Sequence, residues 1–110
     1  MEFNEGVVGA VRVVAPKGRL DTATAPALDA KLTALLHDGG KLVADLAEVH
    51  YVSSAGLRVL LKATKCAKEA GGAFAIAAPR QMVREVLELG GFDRILPIRD
   101  TVEDAAASLD

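Results

Sequence analysis

Tryptophan is absent from this 110-residue chain, tyrosine occurs once and phenylalanine three times. So few rings offer no platform on which the bases of a single strand could stack. There is no excess of positive charge either. Thirteen Lys and Arg against 15 Asp and Glu leave a formal charge of −2, without an electrostatic footprint for DNA or RNA. Nucleic acid is therefore excluded as a partner. One cysteine, Cys66, excludes an internal disulfide and a multi-cysteine metal centre, and His37 and His50 lie far apart in the chain. No apolar run reaches the roughly 20 residues that a bilayer requires. The opening Met1-Glu2-Phe3-Asn4-Glu5 places acids where a secretory leader needs a basic start, so a cytoplasmic setting without membrane attachment is expected. Two catalytic signatures are missing as well. The Ser53-Ser54 pair lacks the preceding glycine of a nucleophile elbow, and no glycine precedes a Lys-Ser or Lys-Thr of a phosphate-binding loop. The chain is expected to be no enzyme, to bind no cofactor and to hold no metal.

What is present reads as an ordinary globular domain: 51% hydrophobic and 25% charged residues, in a length suited to one core. Six of the ten glycines fall in the pairs Gly39-Gly40, Gly71-Gly72 and Gly90-Gly91. Each pair closes a stretch of helical periodicity, where a residue without Cβ suits the C-terminal cap. The first helix is expected from about Ala25 to His37, capped by Thr22 or Thr24, with Pro26 in its first turn and Leu28, Leu32, Leu35 and Leu36 on one face. The second runs from near Ser54 to Gly71. The third begins around Arg80 and presents Met82, Val83, Val86 and Leu89 on one side. A fourth opens at Thr101, whose hydroxyl can cap a first turn carrying Glu103 and Asp104.

Between the helices lie short apolar runs, Val11 to Ala15, Leu42 to Leu46 and Phe74 to Ala78. The last two lack polar alternation, as befits central strands covered on both faces. Further strands are expected near Ile95 to Ile98 and around Phe3 to Val8. The pattern predicts a single compact α/β domain over residues 1–110, with a mixed sheet of four to five strands and about four helices.

The segment from Asp45 to Leu61 carries the chemistry. A strand ends, a short polar loop containing His50 follows, and Ser53 and Ser54 stand at the start of the second helix. Serine is favoured there because its hydroxyl accepts from an otherwise unpaired amide, and the positive end of the helix dipole tolerates an added phosphate. Plotted at a hundred degrees per residue, Leu57, Val59, Leu60, Leu61, Ala63, Thr64, Cys66 and Ala67 fill a wide apolar arc. Arg58, Lys62, Lys65 and Glu69 form a narrow, mainly basic edge. Gly56 weakens the first turn relative to alanine, and close approach by another protein is the expected reason for a bare backbone there.

Gly18-Arg19-Leu20-Asp21 resembles the early Gly-x-Leu-Asp turn of the STAS domains of the anti-sigma factor antagonist family. Val52-Ser53-Ser54-Ala55-Gly56-Leu57 resembles that family's phosphorylation loop, usually written Asp-Ser-Ser/Thr-Gly-Leu. Val83 to Gly91, with Ile95 and Ile98, is similar to its third helix and last strand. The likeness covers nearly the whole chain. Ser54 falls on the phospho-acceptor and Ser53, as second choice, stands where the family has aspartate; Ala55 replaces its second hydroxyl residue.

The resemblance implies partner switching. The unphosphorylated protein would bind an anti-sigma factor that is also a serine kinase and so free the sigma factor. Phosphorylation of Ser54 would end that binding, and a serine phosphatase would reset it. Asp21, Ser53, Ser54, Gly56, Arg58 and Lys62 are the expected partner-binding residues, in a protein that is monomeric in isolation. The alternative is a non-switching STAS binding subunit of a transport or signalling complex.

Overall fold

Leu42, Val43 and Ala44 are all buried, as are Phe74, Ala75, Ile76 and Ala77. Side chains alternate across a strand, so continuous burial requires cover on both faces. The computed structural model, which describes residues 1–109, supplies that cover. Five strands make the main sheet: β1 (Phe3–Val8), β2 (Val11–Pro16), β4 (Lys41–Asp45), β6 (Ala73–Ala77) and β7 (Ile98–Arg99), in the spatial order β1-β2-β4-β6-β7. The β1–β2 hairpin is antiparallel and every other pairing is parallel.

One face of the sheet is covered by α1 (Ala25–Leu36), α2 (Ser54–Glu69) and α3 (Gln81–Leu89). Leu28, Leu32 and Leu36 meet Leu60, Ala63 and Ala67 over Leu42, Ala44, Phe74 and Ile76. The other face is covered by the short α4 (Val102–Ala107). There Ala105 and Ala106 pack against Val11, Val43, Ala75 and Ala77, small residues that let the helix lie close to the strands. As expected from the sequence, the Thr101 hydroxyl caps α4, accepting from the Asp104 amide at 3.0 Å.

Several features depart from the sequence reading. Of the side expected for the third helix, Met82 and Leu89 are exposed, and the residues that α3 buries are Val83 and Leu87. Two short strands, β3 (Gly18–Leu20) and β5 (Val49–Val52), form a separate parallel pair, so His50 is a strand residue and not a loop residue. The expected strand from Ile95 to Ile98 is instead a 3₁₀ turn at Phe92–Arg94, then Ile95 to Pro97, and only then the two residues of β7. Phe92 and Leu96 are both buried, and the Leu96 amide bonds the Phe92 carbonyl at 3.1 Å. Closing that turn into the core consumes the residues that looked extended. Finally, Leu61 is 36% exposed and Lys68 is exposed too, so α2 shows water a broader face than the narrow basic edge expected. The cause is one-sided cover: the buried residues Gly56, Val59, Leu60, Ala63, Thr64 and Ala67 span the arc facing the sheet and α1.

Two of the glycine pairs do more than end helices. The turns after α1 and α2 lie against each other because they feed adjacent parallel strands, and the Ala73 amide bonds the Gly40 carbonyl at 3.2 Å. A Cβ on Gly72 would overlap the Gly40 carbonyl oxygen and come within 2.8 Å of Gly39. We predict that Gly72→Ala lowers stability by roughly 1–3 kcal/mol, the usual range for overpacking. Gly6→Ala, where nothing lies within 4 Å, leaves thermal unfolding unchanged or raises its midpoint.

Candidate functional site

Residues 18–24 and 49–58 converge at the junction of the small strand pair with α2. Leu20 ends β3 fully buried, and its carbonyl accepts the Ser53 amide at 2.8 Å. Gly56 is buried against the same residue: a Cβ there would lie 2.8 Å from the Leu20 carbonyl oxygen and 3.1 Å from Val52 Cγ1. The expectation that Gly56 is bare to admit a partner is thus corrected. The close approach is by the chain's own β3, and Gly56 is unavailable to another protein.

The two serines divide their roles. Ser53 is the N-cap of α2, in extended conformation, and its hydroxyl accepts from the Gly56 amide at 3.4 Å. It satisfies one of the free amides that begin a helix, a task for which an aspartate would serve equally. Ser54 is the first helical residue. It is exposed, and its hydroxyl has no hydrogen-bond partner among the described residues.

Asp21 is held inside its own loop. Its Oδ1 accepts from the amides of Ala23 (3.0 Å) and Thr24 (3.2 Å), and Arg19 Nε donates to Oδ2 at 3.3 Å. The Thr24 hydroxyl, expected to cap α1, instead accepts from the Asp21 amide at 2.9 Å and donates to the Arg19 carbonyl at 2.7 Å. The Thr24 amide above all, with Arg19 and the Ala23 amide, holds the Asp21 carboxyl below its ordinary 3.8, against a smaller opposing effect of burial.

Sequence reasoning quoted Arg19 without assigning it a role, and passed over Tyr51. The two are cross-strand partners in the β3–β5 pair, and the Arg19 guanidinium lies 4.3 Å from the centre of the Tyr51 ring, within cation–π range. Arg19 so links Asp21 to Tyr51, three residues before Ser54. Recognising two strands in this region would have revealed the pairing.

Along α2, Arg58 is exposed and has no hydrogen bond or ion pair among the described residues, whereas Lys62 Nζ is held by Asp29 Oδ2 of α1 at 2.9 Å. Between these helices runs an open, mainly apolar groove of about 420 Å³, bordered by Thr22, Pro26, Asp29, Ala55, Arg58 and Lys62. Asp21, Ser53, Ser54 and Arg58 lie at this junction, and Lys62 lies one turn beyond Arg58. No cluster of three metal-ligating side chains occurs among the described residues. No helix among the described residues is long and apolar enough to cross a membrane.

Comparison with known proteins decides the family. The STAS domain profile matches residues 1–105. This chain belongs to the STAS domain family. A Bordetella bronchiseptica protein bearing the name anti-sigma factor antagonist BtrV is 33% identical over 109 residues, covering 98% of this chain and 94% of the relative. The crystal structure of a Thermotoga maritima protein described as an anti-sigma factor antagonist superposes with a TM-score of 0.88 at 28% identity, covering 97% of this chain and 93% of that one. An anti-sigma factor antagonist from Mycobacterium paratuberculosis gives the same TM-score at 29% identity, with 98% and 92% covered. The STAS fold thus accounts for the mixed five-stranded sheet with four helices.

In this STAS domain the depressed Asp21 carboxyl has a consequence for stability. A group titrating lower in the folded than in the unfolded chain stabilises the fold above its unfolded value and loses that contribution as pH falls through the folded value. Asp21→Ala is therefore expected to melt below the wild type at neutral pH. The gap should close on acidification below about 3.8, the ordinary value of the group. Thermal unfolding of both proteins from neutral to acidic pH checks this; a gap independent of pH would assign the loop's stability to other contacts.

Proposed function

We propose that this STAS domain is an anti-sigma factor antagonist whose unphosphorylated form binds an anti-sigma factor that is also a serine kinase, releasing the sigma factor. Phosphorylation of Ser54 ends that binding, and a serine phosphatase restores it. The observation that carries the reading is the contrast between adjacent serines: Ser53 is committed to capping α2, while the Ser54 hydroxyl is exposed at the helix N-terminus and unbonded among the described residues. A kinase needs such a hydroxyl, and Ser53 is the weaker candidate because its oxygen already serves the Gly56 amide.

The phosphate adds about −1.5 to −2 charges at pH 7. Its position at the start of a helix favours negative charge, so the domain retains its fold and the change is felt at the binding surface. Exposed Arg58 and the apolar groove between α1 and α2 extend that surface beyond Ser54. This supports a switch made by local electrostatics and desolvation, without refolding.

The decisive experiment captures partners from native lysate with wild type, Ser54→Ala and Ser54→Asp, identifies them by mass spectrometry, and titrates the purified kinase against each. Ser54→Ala should bind within about twofold of wild type and Ser54→Asp at least about tenfold more weakly, or ~1.4 kcal/mol. Equal binding by all three would favour the non-switching docking subunit. A second measurement compares backbone amide NMR shifts before and after phosphorylation. Changes confined to the Ser54 junction are expected, and changes spread through the sheet would refute a local switch.

A further inference from the structure

We propose that β1 pairs with β1 of a second copy of this chain, antiparallel about a two-fold axis through Gly6, joining the two main sheets into one. A sheet edge presents unpaired peptide groups, and proteins ordinarily blunt it with proline, lysine, a bulge or a covering element. The other edges here are blunted. β7 has two residues, follows Pro97, and its Ile98 carbonyl accepts from Arg99 Nη1 at 3.2 Å. On β3 the Arg19 carbonyl is taken by the Thr24 hydroxyl, and β5 is flanked by α3. β1 runs for six residues without proline, lysine or bulge, and Asn4 to Val7 are all exposed.

The register follows from the hairpin. The Lys17 amide bonds the Glu2 carbonyl at 3.1 Å, and bonded pairs alternate along an antiparallel ladder. Asn4–Ala15, Gly6–Val13 and Val8–Val11 are then the bonded pairs, and Phe3, Glu5 and Val7 direct their peptide groups outward. Pro16, which has no N–H, sits opposite Phe3 at a position where none is needed. Outward groups must meet outward groups, so within the strand the axis passes through Asn4, Glu5, Gly6 or Val7. At Glu5 it would oppose two carboxylates, and at Asn4 or Val7 it would overlap only Phe3 to Glu5 or Gly6 to Val8.

Through Gly6 it pairs Asn4 to Val8 and sets Glu5, which forms an exposed ion pair with Lys31 at 2.9 Å, beside the second copy's Val7. Val7 is 68% exposed, and with Glu5, Gly6, Arg12, Val13 and Leu35 it borders an open hollow of about 280 Å³ beside the strand. The pairing is short, so the dimer is reversible and appears at high concentration, in place of the strict monomer that the family resemblance implies.

Sedimentation velocity from micromolar to millimolar concentration tests it. Wild type should move from 11.5 kDa toward twice that mass. Val7→Pro removes an outward N–H that serves no bond within the chain, so it should keep the melting temperature and weaken dimerisation at least about tenfold. Should Val7→Pro fail to fold, Val7→Glu places a carboxylate beside the second copy's Glu5 and should weaken the dimer at low salt, with recovery at high salt. Gly6→Cys in a Cys66→Ser background should oxidise to a cross-linked dimer, because a non-bonded pair holds its Cα atoms about 4.5 Å apart. Asn4→Cys should not. A single 11.5 kDa species throughout, a dimer indifferent to both Val7 variants, or cross-linking through Asn4→Cys alone would each overturn the proposal.

Discussion

The Leu20 carbonyl accepting the Ser53 amide at 2.8 Å ties together two stretches of chain that are more than thirty residues apart. Leu20 is fully buried, so neither partner can shift without disturbing the core. Its neighbours extend the tie outward. Arg19 stacks on Tyr51 of the adjacent strand, Asp21 closes the loop that starts α1, and Gly56 lets the first turn of α2 settle onto the Leu20 backbone. The consequence is one rigid platform, made from a loop and a strand-to-helix junction, with Ser54 at its edge. Position and exposure of that hydroxyl are set by packing beneath it, which is how a surface serine acquires a fixed geometry without any bond of its own.

How much of this was legible in the sequence depended on the scale of each signal. Leu28, Leu32 and Leu36 repeat at helical spacing and end at a glycine pair, so α1 was placed to within a residue. The uninterrupted apolar runs of β4 and β6 announced strands covered on both faces. Strands β3 and β5 were not legible, because three or four residues with both middle side chains of β5 exposed show no alternation to detect. Gly56 could be seen to need space, but a linear sequence does not say whether the intruding backbone is foreign or its own. Arg19 and Tyr51 needed the pairing of those two strands before they could be recognised as neighbours.

The charge placed on Ser54 by the proposed kinase has little to fear from its own domain. The N-terminus of α2 favours an anion by about 0.3–1 kcal/mol, and Arg58 stands one turn along the same helix with no other partner among the described residues. Lys62 cannot contribute equally, since Asp29 already holds it. Of the acids in this region, Asp21 has a cation of its own, Arg19 Nε at 3.3 Å from its Oδ2. The helix end and Arg58 both favour an anion at Ser54, and the intramolecular balance tilts toward tolerating the phosphate.

It follows that the discrimination must arise when a partner covers the site. Burying an unmodified serine removes one hydroxyl from water, which a single hydrogen bond offsets. Burying a phosphate in the same place removes a near-dianion from water, and only a matching cation with full hydrogen bonding recovers that loss. The features that make the free domain indifferent to phosphorylation, exposure and a favourable helix end, are features of the solvated state. A partner that fits closely over Ser54 and the apolar groove beside it removes the water while adding no cation, and the same modification then becomes prohibitive. Strength of switching is accordingly a property of how dry the interface is, and the rigidity of the Leu20 platform lets a partner approach closely enough to make it dry.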